Sequence, residues 1–195
     1  DYRSIFNQIH RENHWRNAES ASGGGSTVAF TESIRTELEC WLTRERIASL
    51  ADIPCGDFNW MRKVRLPDGC RYIGMDIVLD LVERNRARYQ DATHRFEEGD
   101  LIAGELPNAE AYFCRDVFIH FPNDAIDCSI ATIRRTGARF LVVTTFPHIR
   151  RKVDTQFPSS RLHNMAFHLG EPVELLKDFG HSRTDKFMGV WRLRE

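Results

Sequence analysis

The apolar positions along the chain change period several times, and each change marks an element. Ile34, Leu38 and Trp41 recur at a three-and-four spacing, which predicts an amphipathic helix from residue 31 that runs toward Arg46. The apolar run 47–53 then stops at Pro54, Cys55, Gly56 and Asp57, the pattern of a buried strand ended by a turn. Residues 71–76 predict a second strand, and Val78, Leu81, Val82 and Tyr89 switch the period to that of a helix over 77–89. Strands over 94–99 and 109–114 follow, then a helix over 123–135 carried by Ile126, Ile130 and Ile133, then a β-branched strand over 139–145. A short helix around residues 5–9 opens the chain. Near its end, 147–170 has no clear period and is expected to be a functional or disordered loop, followed by a helix over 172–179 and a last strand over 186–193.

Strands that are nearly continuous in apolar residues and alternate with helices predict an α/β fold. Its expected form is a Rossmann-like, doubly wound, mostly parallel sheet with helices on both faces, with ligands at the carboxyl ends of the strands. A chain of 195 residues fits one core, so residues 31–195 are expected to form one domain. Residues 1–30, rich in Ser, Gly and Asn after the first helix, are an extension that could serve as a lid.

Composition narrows the function. Lys plus Arg number 27 against 28 Asp plus Glu, so there is no overall positive field to hold a nucleic acid, and Arg150, Arg151 and Lys152 form only a short basic run. The five cysteines, Cys40, Cys55, Cys70, Cys114 and Cys128, are scattered without CxxC or CxxH spacing. They are expected to be buried or half-buried free thiols in a reducing compartment, with no metal site. No stretch approaches the roughly 18 apolar residues of a membrane span, and the first residues contain no apolar targeting core. These features predict a cytoplasmic protein. The absence of an initial Met is compatible with a domain taken from a larger polypeptide.

The chemistry concentrates where the strands end. Residues 52–60, DIPCGDFNW, follow the first predicted strand with only one glycine, so neither the dinucleotide fingerprint GxGxxG nor the phosphate cradle GxxxxGK[ST] is present. A methionine-based nucleoside cofactor, with an amino-acid end and a ribose diol but no phosphate, suits acidic strand ends better. Asp52 is placed for the first of these groups. Asp76 lies 24 positions later, near the spacing at which an acid reaches ribose hydroxyls, although it would serve equally as a helix cap. After the fourth strand, residues 114–120, CRDVFIH, bring Asp116 and His120 beside the expected reaction centre; both are proton acceptors, and a helix cap is the alternative for His120. Arg115 is expected to pair with Asp116 or to meet an anionic acceptor. On the acceptor side, Trp15 and Phe167 offer flat apolar faces that suit a sugar ring, joined by His14, Asn164, His148 and His163.

Taken in order, residues 22–27, 52–61, 72–78, 114–120 and 144–147 resemble the class I S-adenosylmethionine-dependent methyltransferases, in particular small bacterial and viral members associated with surface-glycan genes. The resemblance says little about residues 150–195. It implies that Asp52, Pro54, Gly56 and Asp57 line the methionine end of S-adenosylmethionine, Asp76 the ribose, and Asp100 with Leu101 the adenine, with Asn59 and Trp60 supporting the same wall. It also implies that Ser22, Gly23 and Ser26 of the glycine-rich segment, and Cys114 and Arg115 after the fourth strand, approach the cofactor. Pro54 and Asp57 depart from the commoner ExGxGxG form. The function implied is O-methylation of a small acceptor, a sugar of a glycan, with Asp116 and His120 catalytic and no metal. Two alternatives stand beside it: a methyltransferase for an N-acceptor or a phosphorylated or amidated small molecule, favoured if Arg115, Arg150 and Arg151 converge, and a non-catalytic cofactor-binding module in glycan assembly.

Overall fold

The computed structural model describes residues 2–152, 154, 162–180 and 184–194. Helix α1 (Tyr2–Arg11) leads through a loop to α2 (Glu32–Arg44), β1 (Ser49–Asp52), β2 (Arg71–Asp76), α3 (Leu79–Tyr89), β3 (His94–Glu98) and β4 (Ala111–Cys114). Then come α4 (Asn123–Arg135), β5 (Phe140–Thr145), the short α5 (Ala166–Leu169), β6 (Glu174–Lys177) and β7 (Phe187–Arg192). All seven strands form one sheet in the order β3-β2-β1-β4-β5-β7-β6. The first five are parallel, and β7 runs antiparallel to both β5 and β6. The order reverses between β1 and β4, so the crevice at their carboxyl ends is the place where such a sheet binds ligands.

The strand residues sort by parity into two cores. Leu50, Ala111, Phe113, Phe140 and Val142 face one side with Ile34, Leu38, Trp41 and Leu42 of α2 and Val82 of α3. Ala51, Tyr112, Cys114, Leu141 and Val143 face the other with Ile126, Ile130 and Ile133 of α4. Strands buried on both faces explain the near-continuous apolar runs seen in the sequence.

Three expectations need correction. The helix expected over 172–179 is instead strand β6, because Leu175 and Leu176 pair with Gly189 and Met188 of β7; Leu176 enters the core and Leu175 stays outside, a strand's alternation. The unpatterned stretch 147–170 holds α5, and part of it, residues 153 and 155–161, lies outside the described residues. Cys40 and Cys128 are exposed on α2 and α4, whereas Cys55, Cys70 and Cys114 are buried, and all five are free.

Candidate functional site

A cavity of about 470 Å³ opens at the carboxyl ends of β1, β2, β3 and β4. Asp52 closes β1 and is only 3% exposed; its carboxylate accepts a hydrogen bond of 2.6 Å from the Tyr72 hydroxyl. Burial pushes its carboxyl up to about 7, against the pull of that hydrogen bond. The chain then turns back onto β2, with the Cys55 N–H donating to the Met75 carbonyl at 2.7 Å. Asp76 accepts from the Gly56 N–H and the Val78 N–H, both at 3.0 Å, one on each carboxylate oxygen. Burial raises it to about 6, and these backbone donors restrain the rise. Asp100, after β3, accepts from the Ile102 N–H at 2.8 Å. Three carboxylates from three parallel strands thus border one cavity, each with part of its acceptor capacity unused.

The segment between α1 and α2 covers this floor, and the turn after β1 holds it down. Asp57 accepts from the Ala21 N–H at 2.7 Å and the Ser20 hydroxyl at 3.1 Å. The Asn59 amide donates to Glu19 and to the Ser26 carbonyl. Gly56 has φ +56°, and a Cβ there would lie 2.2 Å from the Ser22 hydroxyl, so only glycine lets the cover sit this close. Helix α1 packs its apolar side on the same wall: Tyr2 meets Phe121 at 5.1 Å between ring centroids, and Phe6 meets His120 at 6.2 Å. Trp15 lies 5.9 Å from His120, and His10 bonds Asp80 of α3 at 2.6 Å.

Beyond β4 the wall becomes charged. Arg115 binds Asp178 through Nε and Nη2 at 2.9 and 3.1 Å and lies 5.4 Å from the centroid of the Trp60 ring. Asp116 has φ +57°, and its N–H donates to the Thr144 hydroxyl at 2.8 Å. Lys186 Nζ reaches Asp116 at 2.5 Å and Asp178 at 2.9 Å. Burial alone would raise the Asp116 carboxyl, but Lys186 and Arg115 outweigh it and hold the group well below the carboxylate range.

Of the residues expected around a cofactor, Ser22, Gly23, Ser26, Asp52, Pro54, Gly56, Asp57, Trp60, Asp76, Asp100, Leu101 and Arg115 line the cavity, as do Asp116, His120 and Trp15. Cys114 does not, because on β4 its side chain points into the apolar core on the α4 side. Asn59 stands behind the turn and ties the cover. Asp57 touches the cavity, yet its carboxylate serves the cover as well. The residue at the start of α4, Pro122, makes no side-chain cap, and the Asn123 N–H donates to Asp154 at 2.8 Å. On the acceptor side, His148, His163, Asn164 and Phe167 are all absent from the cavity wall. His148 is exposed beside Asp185; His163 is buried, and burial lowers its ring to about 4. Asn164 binds the Pro147 and Ile149 carbonyls, and Phe167 faces outward. Arg150 and Arg151 are exposed and away from the cavity.

Sequence reasoning missed Lys186, Asp178, Phe30, Phe146 and His10. Only Phe146 carried a signal, its place in the segment 144–147 that the resemblance covers.

No protein-family model matches the sequence, and no curated protein matches it significantly. Solved structures do. Magnesium protoporphyrin IX methyltransferase (ChlM) from Synechocystis PCC 6803, with bound SAH, aligns at 15% identity and a TM-score of 0.66 over 98% of each chain. The methyltransferase domain of bacterial CtHen1 aligns at 13% identity and 0.62, over 84% of this chain and 99% of that one. The [4+2]-cyclase SpnF aligns at 15% identity and 0.63, over 92% and 76%. At such identities the likeness is one of architecture: the chain has the Rossmann-like fold of these methyltransferases, a fold that a cyclase also uses.

Proposed function

We propose that the chain is an S-adenosylmethionine-dependent methyltransferase that acts on a hydroxyl of a small acceptor, a sugar of a glycan. The observation that carries this reading is the trio Asp52, Asp76 and Asp100 at three consecutive parallel strand ends around one cavity, where no glycine-rich phosphate cradle exists.

The residues present fit that cofactor. A cavity of about 470 Å³ is within the usual range for such ligands. A buried carboxyl raised to about 7 gains most from a cationic partner, so Asp52 suits the α-ammonium of the methionine end. Each Asp76 oxygen spends one acceptor site on a backbone N–H, which leaves a second for a ribose hydroxyl. Asp100 and Leu101 would border the adenine end, and Ser22 to Ser26, seated over Gly56, would cover the cofactor. When bound, the cofactor supplies an electrophilic sulfonium methyl group for in-line displacement by the acceptor oxygen.

The chain's own residues then align the acceptor and receive its proton. Asp116, held ionised, orients the acceptor and is a weak base. His120 is the proton acceptor, since it shares the wall with Asp116. Trp15, Phe6 and Phe30 present the flat apolar faces that a sugar ring stacks on. Residues 2–30 act as a lid that keeps water out. A phosphorylated acceptor is disfavoured, because Arg150 and Arg151 stay off the cavity and Arg115 is committed to Asp178. A module without catalysis is disfavoured as well, because the cavity continues past Asp52 to Asp116, His120 and Trp15.

Calorimetric titration with S-adenosylmethionine and S-adenosylhomocysteine, with NAD as control, tests the reading. Binding of the first two and not NAD is expected. Failure of both to bind removes the methyltransferase assignment.

A further inference from the structure

The ring of charges formed by Arg115, Asp178, Lys186 and Asp116 is a costly construction for a fold to keep. Lys186 Nζ bonds Asp116 and Asp178, Arg115 forks onto Asp178, and Arg115 Nη1 closes the ring 3.4 Å from Asp116. Three members, Arg115, Asp116 and Lys186, open on the cavity, while Asp178 is fully buried behind them. Three buried charges, Arg115, Asp178 and Lys186, closed by the partly exposed Asp116, add little net stability over an apolar cluster of the same volume. What an apolar cluster would not provide is a carboxylate and an ammonium side by side on a ligand wall. The arrangement is also rigid: Asp116 sits at φ +57°, a conformation that side-chain-bearing residues rarely adopt, anchored by Thr144 of β5.

An ammonium has three N–H donors. Among the described residues Lys186 gives two, to Asp116 and Asp178, and its third is left for the cavity that it lines.

We propose that Lys186 is the specificity-determining residue of the acceptor site, and that Lys186 and Asp116 together read a pair of adjacent hydroxyls. One hydroxyl donates to Asp116 and its neighbour accepts from Lys186. The substrate class is therefore a vicinal diol, as on a sugar ring, in preference to a compound with a single hydroxyl. The proposal rests on the methyltransferase reading. In the transfer, the hydroxyl that accepts from Lys186 is the one methylated: its oxygen forms the bond to the methyl carbon, the carbon–sulfur bond breaks with its electron pair left on sulfur, and its own proton passes to His120, while the neighbouring hydroxyl stays bonded to Asp116.

The test uses wild type, Lys186→Met and Lys186→Arg, first titrated with S-adenosylhomocysteine. A wild type that does not bind it refutes the methyltransferase reading; the acceptor proposal is judged on protein that does. With S-adenosylmethionine saturating, formation of S-adenosylhomocysteine is followed with methyl α-mannopyranoside and with its 3-deoxy analogue, which has no two adjacent hydroxyls. Wild type is expected to prefer the diol by about 10- to 100-fold in kcat/KM, the worth of one hydrogen bond to a charged group. In Lys186→Met the preference falls to within about 3-fold, cofactor affinity stays within about 3-fold, and an acid limb enters the pH profile as Asp116 loses the cation beside it. Lys186→Arg keeps the charge but moves the donors, so it retains the wild-type pH profile and loses most of the preference. It also serves as the decisive variant if Lys186→Met does not fold. An unchanged diol preference in either variant overturns the proposal, and so does wild type that binds S-adenosylhomocysteine and methylates neither glycoside.

Discussion

Asp52→Asn separates the cost of the buried carboxylate from its use. In the free protein the carboxyl is raised from 3.8 to about 7, chiefly by burial, and in the unfolded chain it returns to the lower value. Between those two values the folded state holds a proton that the unfolded state has released, so stability falls as pH rises through this window and levels off above about 7. The move corresponds to about 4 kcal/mol at most. Asparagine keeps an acceptor for the Tyr72 hydroxyl and never ionises. Asp52→Asn should therefore exceed wild type in urea denaturation by only about 1 kcal/mol at pH 4.5 and by up to about 4 kcal/mol at pH 8. Asp76 titrates in both proteins, so the difference between them isolates Asp52. The same substitution should weaken S-adenosylhomocysteine binding more than tenfold at pH 8, and should abolish the rise in wild-type affinity between pH 6 and 8 as the carboxylate forms. A stability difference that does not change with pH would falsify the account of Asp52 as a carboxylate awaiting a cationic ligand.

Three further substitutions probe the other walls. Asp76→Asn should reduce S-adenosylhomocysteine affinity at least tenfold; calorimetry that finds equal affinities ends the ribose role. His120→Ala should slow turnover about 100-fold while leaving cofactor affinity within about 3-fold, and unchanged turnover would remove it from proton transfer. Gly56→Ala should cost about 1–2 kcal/mol in backbone strain and displace Ser22 from its seat. Limited proteolysis of residues 12–28 should then be faster than in wild type, and an unaltered digestion pattern counts against the close seating of the cover.

How much the sequence revealed depends on whether a local pattern encodes the feature. Residues 71–76 and 123–135 coincide with β2 and α4, because continuous burial and a clean three-and-four spacing are both local. Two acidic strand ends were legible for the same reason, since Asp52 and Asp76 close strands that periodicity identifies, whereas Asp100 was named only through the family resemblance. The hairpin of β6 and β7 was half missed, since an edge strand with Leu175 outside and Leu176 inside has too few residues to distinguish a period of two from one of 3.6. The acceptor wall was the least legible part. Lys186 and Asp178 acquire their meaning only when β6 and β7 pair and bring them to Arg115 and Asp116, about 63 to 70 residues earlier in the chain. His163 and Asn164, conversely, look chemical in sequence, but the fold uses them to hold the loop after β5.

The reversal of β7 has an evolutionary consequence. In a fully parallel sheet the residue that opens a strand lies at the edge away from the ligand. Here β7 runs backward, so its first residues and the last residues of β6 arrive together at the ligand edge. Asp178 after β6 and Lys186 before β7 therefore stand beside Arg115 and Asp116, whereas Asp52, Asp76 and Asp100 come from the ends of β1, β2 and β3. On the proposed reading, substitutions at Asp178 and Lys186 can retune which acceptor is taken while leaving the β1 to β3 side of the site intact. Among descendants of such a gene, substrate choice is expected to drift there first.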